Sequence, residues 1–177
     1  MKILFSIFIL LLSQCVYAQS EQFKTGPAIE NYGQVAKVDG MQALPENTKF
    51  KVSFDVYKMA EPGQLNRAFD SVARFINMHV ANGVRAENIE LAVVVHGGSV
   101  KEMTPNDFYK KQTGAENANI ELIQQLQKQG VSIYVCGQSA TYHGVKSTDL
   151  LPGVEMSLSA MTAHALLQQQ GYTLNPF

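Results

Sequence analysis

A chain of 177 residues with 14 basic and 15 acidic side chains carries a formal net charge of −1. Such a balance lacks the electrostatic footprint by which proteins hold nucleic acid or anionic lipid, so neither is expected as a partner. Two cysteines, Cys15 and Cys136, are too few for a disulfide framework and too far apart for a CxxC redox pair.

Met1-Lys2 is followed by Ile3 to Leu12, apolar but for Ser6, and then by the small-residue pattern Val16-Tyr17-Ala18. This is the form of a secretory signal peptide over residues 1–18. The apolar run is shorter than the about 20 residues a spanning helix needs. The expectation is a periplasmic or secreted protein with no membrane insertion of the mature chain. Gln14 stands where a lipidated cysteine is normally preceded by a small residue, which argues against lipid attachment at Cys15. Removing 18 of 177 residues leaves 159, the size of one ordinary domain, and leaves Cys136 without a disulfide partner.

Residues 19–48 are rich in Gly, Pro, Asn and Gln and read as an N-terminal arm, with one short β-like stretch at 34–38 that packs on the domain or on a neighbouring subunit. From Lys49 to Phe177 the pattern is that of an α/β domain. Phe50, Val52, Phe54 and Val56 alternate with Lys51, Ser53, Asp55 and Tyr57, the period of a half-covered strand. Leu65, Phe69, Val72, Ile76 and Val80 recur at helical spacing until Asn82-Gly83. Ile89 to Val95 is an apolar, β-branched run fit for a strand buried on both faces, and it delivers His96-Gly97-Gly98-Ser99.

A polar stretch then leads to Thr113-Gly114-Ala115-Glu116, which has the form of a capping box for the helix carrying Ile120, Ile123 and Leu126. Val131 to Val135 reads as a strand ending on Cys136-Gly137-Gln138-Ser139. Val154 and Met156 mark a short strand, Ser159 caps a last helix ending at Gly171, and Tyr172 to Leu174 reads as an edge strand. Strands separated by single helices imply a parallel sheet covered on both sides, with the ligand crevice beyond the carboxyl ends of the strands. His96 to Ser99 and Cys136 to Ser139 both fall there.

Two readings of Cys136 stand side by side. Backbone N–H groups at a strand-to-helix turn can stabilise a thiolate, and cysteine is equally at home as a buried, inert side chain. His96 could carry a proton or favour that thiolate, or it could bond the adjacent loop. His164, among Ala163, Ala165 and Leu167, reads as packing. The spacings lack the GxGxxG and GK[ST] phosphate cradles, a GxSxG elbow and paired zinc ligands, so no metal and no cofactor is expected.

The ordered set Gly130-Val131-Ser132-Ile133-Tyr134-Val135-Cys136-Gly137-Gln138-Ser139, Gly144-Val145 and Leu151-Pro152-Gly153-Val154 resembles the DsrE/DsrF-like family. Val93-Val94-Val95-His96-Gly97 and Gln169-Gln170-Gly171-Tyr172 are similar to its exported branch. The resemblance spans roughly residues 49–177. It implies a three-layer α/β/α domain with a mostly parallel sheet of about five strands, assembled as a homo-oligomer, a trimer or hexamer. In the cytoplasmic sulfur-relay members a cysteine at the position matching Cys136 receives a persulfide and hands it on. What the resemblance implies is a sulfur carrier acting through Cys136, with His96, Gly97, Gly98, Gln138 and Ser139 around it and a sulfur donor or acceptor protein as partner. The competing reading is a non-catalytic oligomeric module that binds a small-molecule ligand or a partner protein.

Overall fold

The computed structural model describes residues 22–175, so the signal-peptide reading of residues 1–18 lies outside the described residues. Five parallel strands form the main sheet: β3 (Phe50–Val56), β4 (Ile89–Val95), β5 (Ser132–Cys136), β6 (Val154–Ser157) and β7 (Thr173–Asn175). Their spatial order is β6-β5-β4-β3-β7. A separate two-stranded antiparallel ribbon joins β1 (Phe23–Lys24) to β2 (Val35–Ala36).

Chain order explains how the helices are distributed. The path from β3 to β6 steps across the sheet in one direction, and its helices lie on one face: α1 (Arg67–Ala81), α3 (Ile120–Lys128) and the short α4 (Gly137–Tyr142). The path from β6 to β7 returns across the whole sheet. A connection of constant hand must then cross on the opposite face, and α5 (Ala160–Gln169) does so. The result is a three-layer α/β/α domain. No helix among the described residues is long and apolar enough to cross a membrane.

Strand parity sorts the core accordingly. Leu91, Val93 and Val95 of β4, with Ile133 and Val135 of β5, pack on Phe69, Val72 and Ile76 of α1 and on Leu122, Ile123 and Leu126 of α3. Ala92, Val94 and Cys136 face the other way, onto Ala160, Ala163 and Leu167 of α5. Residues 28–33 lie against α1 and α3. The Asn77 side chain, fully buried in α1, accepts from the Ala28 and Ile29 N–H groups and donates to the Ile29, Tyr32 and Gly33 carbonyls.

One local expectation is corrected. Thr113-Gly114-Ala115-Glu116 does not cap a helix. It ends α2 (Asn106–Thr113), because Gly114 takes φ 81° and turns the chain out, and α3 begins only at Ile120. On the polar side of β3, Ser53 is fully buried while Asp55 and Tyr57 are exposed.

A polar hub underlies the loop after β3. The buried Glu102 carboxylate accepts from the Ala60 N–H at 3.0 Å, the Asn66 side chain at 2.7 Å and the Asn119 side chain at 3.4 Å. Asn66 in turn caps α1 by accepting from the Ala68 N–H at 2.9 Å. Burial pushes the Glu102 carboxyl up to about 7, against the pull of its three donors and with the buried Tyr109 phenol nearby. The folded protein therefore keeps a proton that the unfolded chain loses near 4.5. Stability is greatest below that value and falls as pH rises to 7, by on the order of 2 kcal/mol from this group. Urea unfolding at pH 5 and pH 7 should show that decline in the native sequence and a flatter profile in Glu102→Gln.

Candidate functional site

Cys136 is the last residue of β5 and the cap of α4, so its side chain is placed by strand parity and its surroundings by helix starts. It is 5% exposed. The sulfur accepts from the Ser139 N–H at 3.5 Å. Burial alone would push the thiol up. The Ser139 hydroxyl and the N–H groups of Ser139, Ala160 and Gln138 outweigh it and hold the thiol below its ordinary value. Donors thus reach the sulfur from the start of α4 and from the start of α5, where Ser159 caps the helix by accepting from the Thr162 N–H at 3.0 Å. The balance moves Cys136 towards the thiolate, the nucleophilic form of cysteine.

Close backbone approach makes this convergence possible. A Cβ on Gly137 would lie 2.7 Å from the Ser157 carbonyl oxygen and 3.3 Å from that of Leu158, so only glycine lets α4 start against the end of β6. The Gln138 side chain is exposed and donates to the Leu158 carbonyl at 3.3 Å. Ser139 joins the two strand-end loops: its hydroxyl oxygen accepts from the Gly97 N–H at 3.0 Å while its own N–H donates to Cys136. Gly97 has φ 58° and its bare Cα is met by the Tyr57 carbonyl, whereas Gly98 has ordinary space around it.

His96 does not bond the thiol. Its Nε2 donates to both oxygens of Asp55 at 3.0 Å, and the His164 Nε2 donates to Oδ1 of the same carboxylate at 2.8 Å. Burial would raise the Asp55 carboxyl, but the two imidazoles win and hold it below its ordinary range. His164 is thus more than packing, which sequence reasoning missed together with Asp55. The register held the clue. Asp55 pairs with Val94, so it shares a sheet face with His96 on the neighbouring strand. An open cleft of about 600 Å3 lies beyond β3, with Asp55, Tyr57, Lys58, Met59 and Arg67 on its walls.

The family model for DsrE/DsrF-like proteins matches residues 62–176. The chain belongs to the DsrE/DsrF-like family. That span takes in Cys136, His96 and His164 but leaves Asp55 outside it. Among solved structures, the DsrE-like domain is similar to a protein of unknown function from Methanobacterium thermoautotrophicum. The identity is 18% and the TM-score 0.55, over 73% of this chain and 100% of that one. It is also similar to the ychN protein of E. coli, at 18% identity and a TM-score of 0.52, over 72% of this chain and 99% of that one. At that identity the two structures establish the shared fold alone. No curated protein matches the chain.

Proposed function

We propose that this DsrE-like protein is an exported sulfur carrier that holds a persulfide on Cys136. The observation that carries this reading is the place of the Cys136 sulfur, which accepts from the Ser139 N–H at 3.5 Å at the start of α4, packs against Ala160 at the start of α5, and has its thiol held below the ordinary value by the surrounding donors. The Cys136 thiolate attacks the outer sulfur of a donor persulfide. The new S–S bond forms as the donor's own S–S bond breaks, the electron pair leaves on the donor's inner sulfur as a thiolate, and the outer sulfur keeps its proton. An acceptor thiolate then takes that outer sulfur by the same displacement and returns Cys136 as a thiolate. No electrons are gained or lost overall. The donors around Cys136 lower the cost of the charged state at both ends of this exchange.

Export is the part of the reading carried by residues 1–18, whose composition is that of a signal peptide. In an oxidising compartment the thiol would be open to over-oxidation, and its 5% exposure limits that access. Self-association into a trimer or hexamer is part of the proposal too. Leu158 and Met161 at the start of α5 are 71% and 81% exposed, and Leu166 further along the helix is exposed too. A partner subunit would cover such apolar side chains.

A second reading, a module that binds a small ligand or partner without chemistry, is favoured by the cleft beyond β3. Anaerobic incubation of the mature protein with a persulfide donor separates the two. A gain of about 32 Da on intact mass, one sulfur atom, is expected in the native sequence and absent in Cys136→Ser. No gain in the native protein would overturn the carrier and leave the module. Light scattering on the same preparation is expected to give a multiple of the monomer mass at micromolar concentration, and a monomer throughout would contradict the assembly.

A further inference from the structure

We propose that Asp55 is a positioning residue for Cys136, a carboxylate that ties down the two chain segments whose N–H and O–H groups reach the thiol sulfur. The inference rests on Cys136 being the reactive group.

One limb runs through β4. Asp55 holds the His96 ring at 3.0 Å, His96 is followed by Gly97, the Gly97 N–H donates at 3.0 Å to the Ser139 hydroxyl oxygen, and the Ser139 N–H donates to the Cys136 sulfur at 3.5 Å. The other limb runs through α5. Asp55 accepts from His164 at 2.8 Å, one helical turn after Ala160, which packs against Cys136. The apolar anchorage of α5 on the sheet is slight, Ala160, Ala163 and Leu167, so a polar tether at His164 has leverage on where the helix starts. Among the described residues the buried Nδ1 of His164 has no partner, so the ring is held through Nε2 at Asp55.

Asp55 acts on the thiol through position and not through its own field. The groups that set the thiol's proton affinity are burial and hydrogen-bond donors, with no charged side chain among them. The two modes have opposite signs. Deleting a negative charge that acted directly would make the thiol more acidic, whereas loosening its donors makes it less acidic.

The test is the pH dependence of Cys136 alkylation by iodoacetamide in the full mature protein, comparing the native sequence with Asp55→Asn and His164→Gln. Each substitution is expected to raise the thiol pKa by about 0.5 to 1 unit, which slows alkylation below that pKa roughly three- to tenfold. The pair together should shift it by less than the sum, because both act on one tether. An unchanged or lowered thiol pKa in either variant overturns the proposal. Should Asp55→Asn fail to fold, His164→Gln leaves the carboxylate bonded to His96 and decides the matter alone. Persulfide loading is read separately. Its absence in a native protein whose thiol still shifts with Asp55→Asn counts against the sulfur carrier and leaves the tether standing.

Discussion

Side-chain parity along β5 is the constraint from which the site follows, because in a parallel strand each step of one residue changes the face that a side chain meets. Ile133 and Val135 are committed to the core beneath α1 and α3, so Cys136 must point to the opposite face. Among the described residues that face is covered by one helix, α5, on the return from β6 to β7. The sulfur therefore meets the start of α5 as well as the start of α4, and both helix starts bring unsatisfied N–H groups. A one-residue slip in β5 would bury Cys136 among Val and Leu side chains.

The neighbouring strands supply the rest. In-register parallel pairing brings the ends of β3, β4 and β5 level, so residues just past those ends meet across a short distance. Gly97 reaches Ser139, and Asp55 reaches His96 and, from the other layer, His164. The loop after β3 is fixed from behind by buried Glu102, which joins the cleft wall at Ala60 and Asn66 to the cap of α1. Polar bonds at the strand ends thus do what apolar contacts do in the middle of the sheet: each holds two elements that are distant in sequence.

Much of this was legible beforehand. The apolar run Ile89 to Val95, the alternation from Phe50 to Val56 and the serine at 159 mark a parallel sheet and its last helix, and the structure has them within a residue or two. Their physics is local, being period and capping. The helix Asn106–Thr113 escaped notice because it has few apolar residues, Phe108 and Tyr109 among polar ones, and therefore little periodic signal. The Asp55 pair of histidines escaped for a different reason. His96 is 41 residues from Asp55 and His164 is 109 away, so the contact exists only once strand order and register are known. Glu102 likewise looks like any surface glutamate until Asn66 and Asn119 are seen to enclose it.

The chemical account depends on one property of one atom, the proton affinity of the Cys136 sulfur. Titrating the ultraviolet absorbance of the thiolate in the native mature protein, with Cys136→Ser as the blank, measures it directly. The donors around the sulfur predict a midpoint below the ordinary cysteine value of 9.0. A midpoint at or above that value would mean that burial prevails over the donors, and would contradict the account.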